Sequence, residues 1–302
     1  MRHILSADQF SKTQTEEILS LAAQMDKQCH KGKIQKVLQD KIVACIFFEP
    51  STRTRLSFET AALRLGAGVI SAENAAANSS SYKGESIEDT ARMLCCYADA
   101  IVMRHPKEGM PQAAAKVSTK PILNAGDGGN EHPSQALLDL YSIKKSLGRL
   151  HGLKVAFGFD PLHSRTIRSL AQMLTLYKNN EFIFIAPKGL HLAEDFLNGL
   201  KAKGAKVRLT DNLPEALSAD IFYANRLQQE RFANPSEFEA NRKKFVITKQ
   251  LMAKAKAKIL DPLPRIDEIE PAADTLPNAL YFEQAQNGLY VRMALLRYAL
   301  DI

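Results

Sequence analysis

Residues 41–66 read KIVACIFFEPSTRTRLSFETAALRLG. Ile42–Phe48 is an unbroken apolar run, as expected of a strand buried on both faces of a parallel sheet. It passes directly into Pro50-Ser51-Thr52-Arg53-Thr54, after which Leu56, Phe58, Leu63 and Leu65 suggest an apolar helical face and Gly66 a helix stop. The same strand-then-helix unit recurs. Further strand candidates are Val69–Ser71, Ala100–Met103, Ile122–Asn124, Val155–Phe159, Phe182–Ile185, Val207–Leu209, Ile221–Tyr223 and Ile259–Leu260. Helical segments between them include Ser86–Tyr97, Ser134–Ser146, Thr166–Leu176, Leu192–Lys203 and Lys249–Lys256. Such alternation predicts an α/β fold with parallel sheets. A break at Leu147–Gly152 places a domain change near residue 150, with Ser134–Ser146 as a bridging helix. The last helix, Gln284–Leu300, is expected to return to the first domain.

The turn at Ser51–Thr54 poses a question of chemistry. The first backbone N–H groups of a helix lack partners, and the helix dipole adds positive potential there. Ser51, Thr52 and Thr54 add hydroxyl donors, and Arg53 adds a planar fork for two oxygens. An ordinary helix cap would explain one hydroxyl. It would not explain Arg53, a cation in the first turn that opposes the dipole. The turn therefore points to an anion such as phosphate. It is not a Walker loop, and Gly126-Asp127-Gly128-Gly129 lacks dinucleotide spacing.

Bulk composition narrows the class. The chain has 302 residues, 45% hydrophobic and 24% charged, enough for two domains. Its net charge is +7, but the lysines are scattered and no nucleic-acid-binding motif appears, so no nucleic-acid partner is expected. No apolar run approaches a membrane span, and MRHILSADQF lacks a signal-peptide core, so no membrane partner is expected. The four cysteines form no C-x-x-C pair, which fits a reduced, cytoplasmic protein without a zinc module. Neither a cofactor nor a metal is expected.

Open α/β sheets bind ligands at the carboxyl ends of their strands. Several predicted strands here end in polar groups. Ala100–Met103 runs into Arg104, and Ile122–Asn124 into a loop carrying His132 and Gln135 at a helix start. Val155–Phe159 leads to Arg165, Ile221–Tyr223 to Arg226 and Gln228, and Ile259-Leu260 to Asp261-Pro262-Leu263-Pro264-Arg265. A single strand-end arginine is usually a surface or ion-pair residue. Arginines at several strand ends of one edge suggest a built site.

These residues, taken together, resemble the aspartate/ornithine carbamoyltransferase family. The match runs through Phe48-Glu49-Pro50-Ser51-Thr52-Arg53-Thr54-Arg55, KGES at 83–86, IVMRHP at 101–106 and LNAGDGGNEHPSQALLDLY at 123–141. It continues through HSRT at 163–166, NRLQQER at 225–231, DPLPRIDEI at 261–269 and QAQNGLYVRMALL at 284–296. It covers nearly the whole chain in order. Arg226, Gln228 and the Leu263-Pro264-Arg265 turn match the aspartate-type members. The ornithine type carries a cysteine beside its Leu-Pro turn and a Ser-Met-Gly loop, which are absent here.

The resemblance implies two doubly wound α/β/α domains, each with a mostly parallel sheet, joined by bridging helices. Residues 1–147, with helix 284–302, would bind carbamoyl phosphate, and residues 148–283 aspartate. Ser51, Thr52, Arg53 and Thr54 would take the phosphate. Arg104 would share it and, with His132 and Thr54, hold the carbamoyl oxygen, while Gln135 would contact the carbamoyl amide. Arg165, Arg226 and Gln228 would bind the L-aspartate carboxylates, and the Leu263 and Pro264 carbonyls would receive amino protons. Ser79 and Lys83 would come from a neighbouring subunit, Lys83 serving both substrates, which implies a homotrimer with shared active sites. The catalytic set would be Arg53, Thr54, Lys83, Arg104 and His132. The product would be N-carbamoyl-L-aspartate, an early intermediate of pyrimidine synthesis, and any regulatory chain would be a separate protein. Alternatives are transfer to another amino acid and a non-catalytic anion-binding protein on the same scaffold. The chain departs from the family at Gly158-Phe159-Asp160, one residue out of the usual Gly-Asp spacing. It also departs at Asp261, where many relatives have His. Asp261 is expected to point away from the ligand, with Arg265 as its candidate partner.

Overall fold

The computed structural model describes residues 1–75, 84–187, 189–229, 232 and 234–302, all but the side chain of residue 237. The chain divides into two units: Met1–Tyr141 with Gln286–Ile302, and Ser142–Ala285. Each holds one parallel sheet. In the first, strands β1 (Ile42–Phe47), β2 (Gly68–Glu73), β3 (Ala100–His105) and β4 (Ile122–Asp127) are ordered β2-β1-β3-β4. In the second, β5 (Lys154–Gly158), β6 (Glu181–Ile185), β7 (Lys206–Thr210), β8 (Ile221–Tyr223) and β9 (Lys258–Leu260) are ordered β7-β6-β5-β8-β9.

The strand order follows from burial. β1, β4 and β5 are almost wholly buried, while β2 and β7 have no buried residue, as suits edge strands. The N-terminal residues extend the first sheet at β4, with Ile4 N–H donating to Ile122 O at 2.8 Å. Parallel neighbours need crossovers, and helices supply them. In the first unit the helices are α1 (Lys12–His30), α2 (Thr52–Arg64), α3 (Ile87–Tyr97) and α4 (Met110–Val117). α5 (Pro133–Leu147) and the C-terminal α11 (Tyr281–Leu300) each contain a boundary between the units. The second unit adds α6 (Arg165–Leu174), α7 (Glu194–Ala202), α8 (Leu213–Ala216), α9 (Pro235–Lys244) and α10 (Lys249–Lys254).

Both orders reverse once. In the first sheet the chain moves outward from β1 to β2, then crosses back to place β3 on the other side of β1. In the second it moves from β5 through β6 to β7, then returns to β8 beside β5. The carboxyl ends of β1 and β3, and of β5 and β8, thus flank the two switch points, where open α/β sheets leave a crevice.

One expected face is corrected. α2 buries Thr54, Phe58, Ala61 and Ala62, followed by Leu65, while Leu56 and Leu63 are exposed. The inward stripe follows i, i+4, i+7, i+8 from Thr54, so a hydroxyl residue opens it, and Leu56 and Leu63 lie seven apart on another face. In the second unit, Phe159 is fully buried against Phe222 and Phe245, with ring centroids 5.5 Å away in each case. The residue that departs from the Gly-Asp spacing is therefore a core residue. The Gly158–Phe159 and Leu263–Pro264 peptide bonds are cis.

Candidate active site

Ser51 occupies the N-cap of α2 without making a side-chain cap hydrogen bond. The other N-cap serines, Ser11, Ser86 and Ser164, do accept such a bond. The simple cap is thus not the use of Ser51 here. Thr52 and Arg53 are exposed and Thr54 is buried, all in the first turn. Arg55, one residue further, is held within the protein, donating to Glu59 Oε1 and Glu73 Oε2 at 2.9 Å each.

Sheet register brings the next group alongside. Phe47 pairs with Arg104 across β1 and β3, and Phe48 N–H donates to Arg104 O at 2.9 Å. The Arg104 Nε donates to Glu49 Oε1 at 2.7 Å. His105 packs on Phe48 and accepts the Lys107 N–H through Nδ1 at 2.9 Å, and burial lowers its pKa.

The loop after β4 is organised by Asp127. Its Oδ1 accepts from Asn124 Nδ2 and Glu131 N–H, and its Oδ2 from Gly109 N–H and Asn130 Nδ2, at 3.0–3.1 Å. Gly128 lies at φ +52°, where an added Cβ would stand 2.8 Å from Pro106 O, so the loops after β3 and β4 touch backbone to backbone. His132 follows, 4% exposed, immediately before α5. Gln135 is buried on the same turn, and its Nε2 donates to Asp139 Oδ1 at 2.9 Å. Asp139 in turn faces Arg292 of α11, whose guanidinium burial pushes down to about 10 while Asp139 opposes that shift. Ser51–Thr54, Arg104, His132 and Gln135 therefore all lie at or after the carboxyl ends of β1, β3 and β4. Ser79 and Lys83 lie outside the described residues.

The second unit repeats the plan. Arg165 is the first residue of α6, whose N-cap Ser164 accepts the Ile167 N–H at 3.2 Å. Asp160 locks the approach by accepting His163 N–H at 3.2 Å and meeting His163 Nδ1 at 2.9 Å. Arg226 and Gln228 are half-buried after β8. Leu263 and Pro264 follow β9, with Leu263 half-buried and Pro264 exposed. Since β5, β8 and β9 are neighbours, these residues share one sheet edge. Arg265 is not the partner of Asp261: it is engaged by Asp274 and stacks near Tyr281. Among the described residues, no cluster of three or more His, Cys, Asp or Glu side chains could hold a metal ion.

Sequence reasoning missed Glu49, Asp127, Asp139 and Arg292. Glu49 and Asp127 adjoin the recognised segments, but their partners are set by sheet register and loop contact. Chemically, the first edge presents hydroxyls, a helix start, arginine and an imidazole, which suits an acyl phosphate with a polarised carbonyl. The second presents arginines and an amide, which suits carboxylates.

Comparison with known proteins identifies two family segments. Residues 2–145 match the family description "Aspartate/ornithine carbamoyltransferase, carbamoyl-P binding domain", and residues 151–299 match its "Asp/Orn binding domain". The aspartate carbamoyltransferase catalytic subunit of Methanocaldococcus jannaschii is 43% identical over 302 residues, covering 100% of this chain and 98% of that one. A solved structure of the M. jannaschii aspartate transcarbamoylase catalytic subunit superposes with TM-score 0.95 at 44% identity, covering 100% and 98% of the two chains. Aspartate transcarbamoylase from Trypanosoma cruzi, crystallised with N-(phosphonacetyl)-L-aspartic acid, superposes with TM-score 0.91 at 37% identity, covering 98% and 94%.

Proposed function

The chain belongs to the aspartate/ornithine carbamoyltransferase family, and from that premise we propose that it transfers the carbamoyl group of carbamoyl phosphate to the α-amino group of L-aspartate. The products are N-carbamoyl-L-aspartate, an early intermediate of pyrimidine synthesis, and phosphate. The observation that carries this reading is arginine at both switch points: Arg53 and Arg104 beside β1 and β3, Arg165 and Arg226 beside β5 and β8.

The phosphate rests on the α2 start, on Ser51, Thr52, Arg53 and Thr54, and Arg104 adds a second fork. Thr54, Arg104 and His132 donate to the carbamoyl oxygen, and Gln135 meets the carbamoyl amide. The aspartate nitrogen attacks the carbonyl carbon, and the tetrahedral oxyanion collapses with cleavage of the carbon–oxygen bond to phosphate. Each donor aimed at that oxyanion contributes on the order of 10²–10³ in rate. The departing phosphate accepts the amine proton, so no dedicated side-chain base is needed. Arg165, Arg226 and Gln228 hold the aspartate carboxylates, and the Leu263 and Pro264 carbonyls orient its amine.

The working particle is a homotrimer in which a neighbouring copy supplies Ser79 and Lys83. Exposed Ile42, Leu56, Leu63 and Ile70 on β1, α2 and β2, with Met93 and Tyr97 on α3, support self-association of the first unit. The four cysteines are free thiols, which supports a reducing, cytoplasmic setting. The deciding experiment supplies carbamoyl phosphate with aspartate or ornithine and follows carbamoylated product and phosphate. Product with aspartate alone is expected. No product with aspartate, or equal turnover of ornithine, overturns the reading.

A further inference from the structure

The turn after β9 is built on a buried carboxyl. Asp261 is 2% exposed, and its Oδ1 accepts the Leu263 N–H at 2.6 Å. Its own N–H donates to Gln284 Oε1 at 2.8 Å. Leu263 stands at φ +57°, in the left-handed region. There a leucine is strained and persists only where its surroundings over-determine it. The short bond from Asp261 is one such constraint.

Glu268 closes the other end of the turn. It is also 2% exposed, and its Oε2 accepts the Ile266 N–H at 2.9 Å and the Asp267 N–H at 3.0 Å. Two oxygens remain. Asp261 Oδ2 and Glu268 Oε1 are buried, and no described group donates to either. A buried acceptor left without a donor is costly, and two adjacent carboxylates cannot both ionise without strong repulsion. The two side chains lie within hydrogen-bonding reach of each other. One proton between them satisfies both oxygens and removes the repulsion.

We infer that Asp261 and Glu268 share one proton and act as positioning residues for the Leu263-Pro264 turn, so that aspartate binding weakens as that proton is lost. The aspartate clause rests on the function proposed above, whereas the shared proton does not. Burial first, and then the Glu268 charge, raise the Asp261 pKa well above the ordinary carboxylate range. Of the other charged groups on the turn, Arg265 acts on Asp261 in the opposite sense while engaged by Asp274, and Asp267 is paired with Arg242. A carboxyl raised by folding contributes stability that is full below its unfolded value of about 3.9 and is lost as pH rises through the folded value.

The test compares wild type, Asp261→Asn and Asp261→Ala between about pH 5 and pH 9, reading the thermal midpoint and the KM for each substrate. The asparagine keeps the Leu263 bond through Oδ1 and donates to Glu268 through Nδ2, with no proton to lose. The wild-type midpoint should fall with rising pH relative to Asp261→Asn. Its KM for aspartate should climb about tenfold while that for carbamoyl phosphate holds, and the asparagine variant should flatten that climb. Asp261→Ala should raise the KM for aspartate at every pH. Parallel midpoint profiles for wild type and Asp261→Asn overturn the shared proton. Parallel KM profiles, or an unchanged KM in Asp261→Ala, overturn the positioning role. If the chain forms no carbamoyl aspartate at all, the functional reading fails, and the midpoint comparison still decides the shared proton.

Discussion

Glu49 holds Arg104 from the adjacent strand end: the Arg104 Nε donates to Glu49 Oε1 at 2.7 Å, with both side chains partly screened from solvent. The pairing follows from register, since Phe47 and Arg104 are partners across β1 and β3. The carboxylate orients the guanidinium through Nε, so that its two terminal nitrogens can serve an anion. Glu49→Ala should therefore raise the KM for carbamoyl phosphate about tenfold, as loss of one charge-assisted bond of ~1–3 kcal/mol implies. Saturation curves for each substrate check this, with the KM for aspartate at saturating carbamoyl phosphate expected to move little.

Arg53 is the residue a helix cap cannot explain. Ser51 makes no side-chain cap bond, and Arg53 stands exposed in the first turn. Arg53→Ala should lower kcat/KM on the order of 10²–10³, because in the proposed reaction the group stabilises the charge that builds on the leaving phosphate. The thermal midpoint should stay near wild type. Near-normal turnover in this variant would remove the phosphate-grip reading.

The strands are legible in the sequence because burial on both faces leaves continuous apolar runs, as in Ile42–Phe47 and Val155–Phe157. β2 reads short, as Val69–Ser71, because an edge strand carries less apolar signal. α1 is missing from the strand-and-helix reading although Ser11 and Gln14 form a reciprocal capping box, a pattern visible as Ser-x-x-Gln. At the site, the residues suited to touch ligand are legible, since phosphate and carboxylates demand particular side chains at strand ends. Their supports are not. Glu49 depends on register, Asp127 on two loops meeting, and Asp261 on which side of a turn its neighbours face. Arg265 is four residues from Asp261 in the chain, yet Asp274 takes it.

The proposed trimer predicts complementation. A Lys83→Ala chain and an Arg53→Ala chain, each nearly inactive alone, should regain activity when unfolded together and refolded as mixed trimers. Some interfaces then combine an intact Arg53 from one copy with an intact Lys83 from the next. Sedimentation should give three times the chain mass, and Leu63→Glu should reduce it by placing a charge in an exposed apolar stretch of α2. Activity that never recovers in the mixture would count against shared sites.

Asp220 offers a pH test of stability away from the chemistry. It accepts the Lys154 N–H at 3.0 Å and pairs with Lys256 at 3.0 Å and Arg149 at 3.4 Å, tying the starts of β5 and β8. Burial acts to raise its pKa, but the Lys154 bond and the two cations outweigh it and hold the carboxyl below its ordinary value. A depressed carboxyl contributes stability above its unfolded value of about 3.9 and loses it as pH falls through the folded value. Asp220→Asn should cost about 1 kcal/mol at neutral pH, after discounting for solvent, and less in acid. Denaturant unfolding at the two conditions measures the difference.

Arg226 is the residue proposed to decide substrate choice. It follows β8 at the second switch point, half-buried, with Nη1 donating to Leu227 O at 3.4 Å. A planar guanidinium fork at such a strand end can grip a carboxylate through two oxygens. Arg226→Ala should raise the KM for aspartate by roughly 30-fold to 5 × 10³-fold, the range expected for loss of a charged partner worth about 2–5 kcal/mol. Arg226→Lys should recover only part, because an ammonium keeps the charge without the fork. The affinity for carbamoyl phosphate alone should not change in either variant, since the residues proposed to hold it belong to the other unit. Calorimetric titration with carbamoyl phosphate and steady-state kinetics with aspartate separate the two effects. If both affinities fall together, Arg226 supports the protein as a whole and does not select the amino acid. If neither falls, the dicarboxylate is read by Arg165 and Gln228 without it.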